Sequence, residues 1–208
     1  KQHKTSRNQR LLPYHNELKN AGACFGQSGE YERPMWYALN NSDPSYKYSF
    51  NYQNWYPSLE YECKNTVENV GLFELSPFSK YEIKGEKSYE VLQRLCTANI
   101  KNEIGKCTYT QMLNEDAGIE TDLTIVCMGK NHFRLISSAI VRTHDKSHIL
   151  KYLSKDIEFK DVTDNLVCFG IFGPKSRKLL SKIFKEDFSN ENFKFGTAKN
   201  INLDSKSF

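Results

Sequence analysis

The stretch YTQMLNEDAGIETDLTIVCMGKNHFRLISS, residues 109–138, decides how the fold of this chain is interpreted. It contains short runs biased to apolar and β-branched residues, which are typical of strands. The runs are Tyr109–Leu113, Asp122–Met128 and His132–Ser137. They are separated by Asn114–Gly118 and Gly129–Asn131, which are rich in residues that tolerate the left-handed backbone of tight turns. The stretch therefore predicts two or three consecutive β-strands.

One acid, Asp122, opens the middle run, where apolar residues should dominate. A carboxylate at that place either caps the turn that follows Gly118 or takes part in chemistry. The residues alone favour the cap, because aspartate commonly accepts hydrogen bonds from backbone amides in turns. Both interpretations stay open at this point.

Composition sets broad limits on the class of protein. With 208 residues and 38% hydrophobic content, the chain can form one large domain or one domain plus an arm. The net charge of +4 is too small to indicate nucleic acid binding, and no apolar run is long enough to span a membrane. The six cysteines form no CxxC pair, which predicts free thiols in a reducing compartment. His144 and His148 have helical i, i+4 spacing but no third ligand, so no metal site is predicted.

A strand–glycine–Lys-Ser–helix unit occurs twice, at Tyr81–Leu95 and Phe169–Ile183. Two such units with strands between them predict an α+β protein with split βαβ, ferredoxin-like repeats. Helical spacing predicts further helices at Leu11–Ala23, Ser58–Val70 and Thr143–Leu153. Further strands are predicted at Leu72–Leu75, Ile157–Val162 and Thr197–Leu203.

Four longer motifs follow one another along the chain. They are GACFGQSGEYERPMWYA (22–38), YSFNYQNWYPSLEYECK (48–64), VGLFELSPFSKYEIKG (70–85) and YTQMLNEDAGIETDLTIV (109–126). In this order they resemble the folate-binding, aminomethyltransferase-like domain of the dimethylglycine and sarcosine dehydrogenase family, which is itself similar to the glycine-cleavage T-protein. Tyr31, Glu74 and Ala117 depart from the family's usual Trp, Asp and Gly.

The resemblance implies the aminomethyltransferase folate-binding fold and an enzyme that transfers a one-carbon unit to tetrahydrofolate, giving 5,10-methylenetetrahydrofolate. This would be the folate half of an N-demethylating enzyme, with a methylated amine or its iminium as substrate. FAD would belong to an upstream oxidoreductase domain or subunit, since this chain has no GxGxxG fingerprint. The implied compartment is a bacterial cytoplasm or the mitochondrial matrix, with neither nucleic acid nor membrane as a partner.

Carried over residue by residue, the resemblance makes Asp122 the catalytic carboxylate beside the folate amines. The positions that match the lining of the pterin pocket are Phe78, Tyr109, Thr124, Val126, Ile136 and Ser138. For each lining residue, ordinary core packing is the alternative.

The family pattern also gives expectations about domain organisation. Residues 1–45 are predicted to be a linker or N-terminal segment, and residues 46–208 the N-terminal part of the folate domain. Within the first segment, residues 1–10 are predicted to be a mobile arm or a linker from an upstream part. The family continues into a YxGELGWE segment whose Glu holds the pterin, so we expect a domain truncated at its C-terminus. Two alternatives stay open: a non-catalytic structural or partner-binding module of the same fold, and a folate-dependent demethylase of another methylated substrate, such as a sulfonium compound.

Overall fold

The computed structural model describes residues 2–40 and 42–201, and it divides the chain into two compact units. The first unit contains the residues up to Ser76 together with Cys168–Ser176. The second contains Pro77–Val167 and the residues from Arg177 onward. Within the described ranges, no helix combines the length and the apolar character needed to cross a membrane.

The first unit consists of two antiparallel strand pairs and two helices. Its elements are α1 (His15–Asn20), β1 (Ala23–Ser28), β2 (Tyr31–Tyr37), α2 (Tyr56–Glu68), β3 (Gly71–Glu74) and β9 (Phe169–Phe172). β1 pairs with β2, and β3 pairs with β9. α2 begins with Pro57 in its first turn, where the missing N–H costs no helical hydrogen bond. The Tyr37 amide donates to Glu62 Oε1 at 2.8 Å, which ties α2 to the end of β2.

The second unit is a five-stranded antiparallel sheet in the order β5-β6-β7-β4-β8. Its strands are β4 (Ser79–Lys84), β5 (Cys107–Leu113), β6 (Ile119–Gly129), β7 (His132–Ser137) and β8 (Glu158–Asp161), and its helices are α3 (Ser88–Leu95), α4 (Arg142–Leu150) and most of α5 (Ser176–Phe184). β7 and β8 both pair antiparallel with β4, so they run parallel with β4 between them. Because α4 connects β7 to β8, these elements form a split βαβ unit, the motif that the sequence predicts from the Tyr81–Leu95 and Phe169–Ile183 units.

The core lies on one face of this sheet. Leu123, Ile125 and Cys127 alternate along β6 and pack with Leu92 of α3 and Ile149 of α4, among other buried residues. The β6 side chains between them therefore point to the opposite face, because successive side chains of a strand alternate. We call that opposite side the open face.

The predicted elements are largely confirmed. The predicted helices correspond to α1, α2 and α4, with α1 shorter than expected, and the strand–glycine–helix units correspond to β4–α3 and β9–α5. Gly85 and Gly173 have φ of +151° and +112° between strand and helix, a backbone that favours glycine. Of the strand predicted at Thr197–Leu203, Thr197 forms an isolated bridge with Lys106, whereas Asn202 and Leu203 lie outside the described residues.

The segment predicted to be a mobile arm makes specific contacts within the first unit. Arg7 forms a bidentate ion pair with Glu32 of β2, with both N–O distances 2.6 Å. The Asn8 amide donates to the same carboxylate at 2.9 Å. Residues 15–37 form a helix and a hairpin within the predicted 1–45 segment, and the proposed domain boundary near residue 45 stays a prediction.

Candidate functional site

The strand register brings most of the predicted site residues to the open face. Across β5, β6 and β7, Tyr109 stands opposite Thr124, and Thr124 stands opposite Ile136. Val126 is two residues further along β6, on the same side. Asp122 precedes Thr124 by two residues and stands opposite Gln111. These positions share one face because cross-strand partners in an antiparallel ladder point the same way.

Two predicted residues, Phe78 and Ser138, lie just beyond the ends of β4 and β7. The last pair between these strands is Ser79 with Ser137. Continuing the register by one residue places Phe78 and Ser138 level with Asp122, on its side of the sheet. Both residues are half-buried, and the Ser138 carbonyl accepts a hydrogen bond from the Ser79 hydroxyl at 3.1 Å.

Asp122 is solvent-exposed and hydrogen-bonded to one neighbour on the open face. The Tyr109 hydroxyl donates to Asp122 Oδ2 at 2.8 Å, and the Tyr109 ring is itself 63% exposed. This hydrogen bond raises the pKa of Tyr109, because it is made by the protonated hydroxyl. Among the described residues, none donates to Asp122 Oδ1, so that oxygen remains available as an acceptor.

The turn before β6 is capped by Asn114 rather than by Asp122. Asn114 Oδ1 accepts the amides of Asp116 at 3.1 Å and Gly118 at 2.8 Å. The left-handed residue of this turn is Ala117, with φ of +62°. The turn-capping interpretation of Asp122 is therefore wrong, because its carboxylate bonds to Tyr109 and not to the turn.

Val126 and Ile136 line a cavity of about 280 Å³ in the second unit. Val126 is buried and Ile136 is half-buried. Arg134 and Lys199 add positive charge to the lining; Arg134 pairs with Glu82 and Lys199 with Glu186. Asp122 and Tyr109 do not line this cavity, so the predicted residues occupy both an exposed patch and an adjacent, partly open cavity on the open face.

Polar residues of the open face that the sequence does not single out include Gln111 and Lys80, besides the Arg134 named above. Gln111 stands directly opposite Asp122 and accepts a hydrogen bond from the Thr97 hydroxyl at 3.3 Å. Lys80 stands opposite Ile136, is only 3% exposed, and donates to the Phe78 carbonyl at 2.8 Å. The alternation within YTQML indicates that Gln111 shares a face with Tyr109, whereas only the order of the strands brings Lys80 to this place.

The open face fits tetrahydrofolate in chemical terms. Asp122 Oδ1, to which no described residue donates, can accept a proton or hydrogen bond from an amine. The aromatic rings of Tyr109 and Phe78 offer flat surfaces for stacking, and Val126 and Ile136 offer apolar ones. The described residues contain no group of three His, Cys, Asp or Glu side chains arranged to hold a metal ion.

The sequence of this chain is similar to a known domain family and to parts of longer enzymes. The profile of the GCVT N-terminal domain matches residues 14–207. The 4-methylaminobutanoate oxidase (formaldehyde-forming) of Paenarthrobacter nicotinovorans is 39% identical over 191 residues, covering 91% of this chain and 23% of that protein. The mitochondrial dimethylglycine dehydrogenase of Rattus norvegicus is 32% identical over 190 residues, covering 90% of this chain and 22% of that protein. This chain thus spans less than a quarter of the length of these relatives.

Among solved structures, the glycine cleavage system aminomethyltransferase T from Bartonella henselae matches with a TM-score of 0.68. The sequences are 23% identical, and the match covers 84% of this chain and 43% of that one. At this identity the likeness concerns the fold, and it confirms the fold class that the sequence predicts. The profile match contains every residue of the open face named above.

Proposed function

Since this chain belongs to the GCVT N-terminal domain family, we propose that it binds tetrahydrofolate on the open face of its five-stranded sheet and serves one-carbon transfer from a methylated amine. The observation that carries the proposal is the exposed Asp122 carboxylate, which is held by Tyr109 on a face that also carries the other predicted lining residues. The resemblance predicted from the sequence is confirmed at the level of the family.

We assign the binding roles by the chemistry of each side chain. Tyr109 and Phe78 stack against the flat rings of the ligand, while Val126 and Ile136 contact its apolar surface. Thr124 and Ser138 flank Asp122 on β6 and after β7, and their hydroxyls offer both donors and acceptors. Tetrahydrofolate, when bound, supplies the amine nitrogens that take up the one-carbon unit.

Asp122 carries the proton chemistry in this proposal. An amine that forms a bond to an electrophilic carbon loses a proton, and a carboxylate within hydrogen-bond distance can accept it. The same negative charge stabilises positive charge that develops on the nitrogens. Tyr109 is a positioning residue, because its hydroxyl fixes Oδ2 and leaves Oδ1 to face the amine.

The remaining assignments follow from the proposed reaction. The one-carbon donor is the iminium of a methylated amine, produced by an FAD-dependent oxidoreductase domain or subunit. As its carbon bonds to the two acceptor nitrogens, its bond to the donor nitrogen breaks, and the demethylated amine leaves as an ammonium ion with the two protons that the acceptor nitrogens lose. In the same proposal, the product released is 5,10-methylenetetrahydrofolate. The compartment is a bacterial cytoplasm or the mitochondrial matrix, and the folate domain starts near residue 46.

Calorimetric titration of the chain with tetrahydrofolate tests the proposal. We expect saturable binding that Asp122→Asn weakens about tenfold, because a hydrogen bond between an amine and a charged acceptor becomes a neutral one. Tyr109→Phe should weaken binding less, since the ring is kept. Asp116→Asn removes the same charge from the exposed turn and should leave binding unchanged.

Two outcomes would contradict the proposal. If neither this chain nor a form extended through a GELGWE-like segment bound tetrahydrofolate, the non-catalytic module would become the better account. Equal weakening by Asp116→Asn and Asp122→Asn would mean that only net charge matters, and Asp122 would lose its assigned role.

A further inference from the structure

The first unit contains a cavity of about 360 Å³ that shares no residue with the open face. It is lined by β2, by α2 and by β3 with the residues that flank it. Its volume is within the range of small-molecule sites in proteins. The folate proposal makes no use of it.

Two carboxylates line this cavity, and each has an oxygen that receives no hydrogen bond from the part of the chain that the structure describes. Glu62 Oε1 accepts the Tyr37 amide at 2.8 Å, and no described residue donates to Glu62 Oε2. The Glu74 side chain is 4% exposed, and its Oε1 accepts the Tyr14 hydroxyl and the Ser76 amide. Glu74 Oε2 is buried without a hydrogen-bond partner among the described residues. Buried polar atoms are normally satisfied, so Glu74 Oε2 indicates a missing donor, whereas Glu62 is half-buried and its Oε2 can accept a hydrogen bond from a ligand.

The charges around the cavity do not balance. Arg33 is the single cation among the described lining residues, and its Nε lies 3.6 Å from Glu74 Oε2. No cation among the described residues forms an ion pair with Glu62, and burial raises the pKa of its carboxyl group. Burial together with the charges of Glu62 and Glu74 raises the pKa of Tyr37 to about 12. One negative charge in the lining is therefore left without a cation.

Aromatic rings form part of the same lining. They belong to Tyr37, Tyr61 and Phe73, whereas the Trp36 ring packs against Tyr46 on the other face of β2. Ring faces attract cations electrostatically, and a cage of rings beside a carboxylate is the usual environment for an alkylated ammonium group. A bare metal ion would instead need several oxygen ligands around one point, which the described residues do not provide.

We propose that this cavity binds a small alkylated ammonium ion, with Glu62 as its countercharge and the aromatic rings as its walls. A tertiary ammonium could also donate its N–H to one of the free carboxylate oxygens. The proposal does not depend on folate binding, because its residues all belong to the first unit and none of them lies on the open face.

A titration of the chain with tetramethylammonium chloride, followed through the ring-proton signals of Tyr37 by NMR, tests this site. We expect a saturable shift, and we expect no comparable shift from tert-butanol, a neutral molecule of similar shape. Glu62→Gln should raise the dissociation constant at least about tenfold, because it removes the charge and keeps an oxygen for the Tyr37 amide. Glu60→Gln is the matched control, since Glu60 is an exposed residue of α2 paired with Lys64.

A second variant protects the test against loss of folding. Tyr61 is 57% exposed, so Tyr61→Leu should preserve the fold and should still raise the dissociation constant about threefold by removing one ring. Three results would overturn the proposal: no saturable shift, an equal shift with tert-butanol, or unchanged affinity in both Glu62→Gln and Tyr61→Leu.

Discussion

Replacing Arg7 by Met should destabilise the first unit by about 3 kcal/mol. Glu32 is 2% exposed, whereas Arg7 is 27% exposed. Without the guanidinium, the buried Glu32 carboxylate would keep, among the described residues, only the Asn8 amide as a donor. Removing one partner of a buried ion pair costs about 3–5 kcal/mol, and the partial exposure of Arg7 places the effect at the lower end.

Replacing Glu32, the other partner of the pair, should lower the free energy of unfolding by less than Arg7→Met does. Glu32→Gln leaves Arg7 without a carboxylate, but its guanidinium can reach water and the amide oxygen can still accept one hydrogen bond. We expect a loss of about 1–2 kcal/mol. The Arg7→Met, Glu32→Gln double variant should be more stable than Arg7→Met alone, because the uncompensated buried charge is gone.

The destabilisation caused by Arg7→Met should also depend on pH. The hydrogen bonds from Arg7 lower the pKa of Glu32 in the folded protein. The pair therefore stabilises the protein above the unfolded-state glutamate pKa of about 4.3, and this contribution is lost as the pH falls through the lower folded-state pKa. The difference between the wild type and Arg7→Met should shrink over that acidic range.

Urea unfolding followed by tryptophan fluorescence measures these effects, since Trp36 and Trp55 both belong to the first unit. Glu30→Gln is the control: Glu30 is 76% exposed and pairs with Arg10, so its loss should cost less than about 1 kcal/mol. If Arg7→Met cost no more than Glu30→Gln, the arm would not be anchored by this pair.

Two further substitutions test the backbone and the core. Gly173→Ala should destabilise the protein by at least about 2 kcal/mol, because φ is +112° and a Cβ would lie 2.5 Å from the carbonyl oxygens of Thr66 and Asn69. Gly129→Ala is the control, because the nearest atom to its Cβ is 4.0 Å away, and it should change stability by less than about 1 kcal/mol. Equal effects of the two substitutions in urea unfolding would refute the argument. Tyr81→Phe should cost about 1 kcal/mol, because a fully buried hydroxyl that donates to the Arg142 carbonyl at 2.7 Å is lost, and a variant as stable as the wild type by thermal unfolding would contradict this.

The sequence predicts the centre of the fold well because its signals are local. Asparagine- and glycine-rich turns separate β5, β6 and β7, and a period of two along β6 separates Leu123 and Ile125 from Asp122 and Thr124. Once the strands are recognised, their shared face follows without further information. The choice of Asn114 over Asp122 as the turn cap is different, because both residues have suitable oxygens and only the folded geometry distinguishes them.

Features that depend on distant residues could not be read from the sequence. The Arg7–Glu32 pair joins residues 25 positions apart, and no local pattern marks it. The cavity of the first unit is lined by Arg33, Glu62 and Glu74, which come from separate elements. The position of β4 between β7 and β8 likewise depends on pairing across the sheet, and it is this pairing that brings Lys80 to the open face.

The most direct test of the central claim is a titration of the methyl-labelled chain with tetrahydrofolate, followed by NMR. The proposed site predicts shifts at the Val126 and Ile136 methyl groups of the open face. The Ile125 and Leu135 methyl groups, which are buried in the core on the other side of the same strands, should shift far less. Shifts of equal size on both faces, or no shift at Val126 and Ile136 at saturating ligand, would contradict folate binding on the open face.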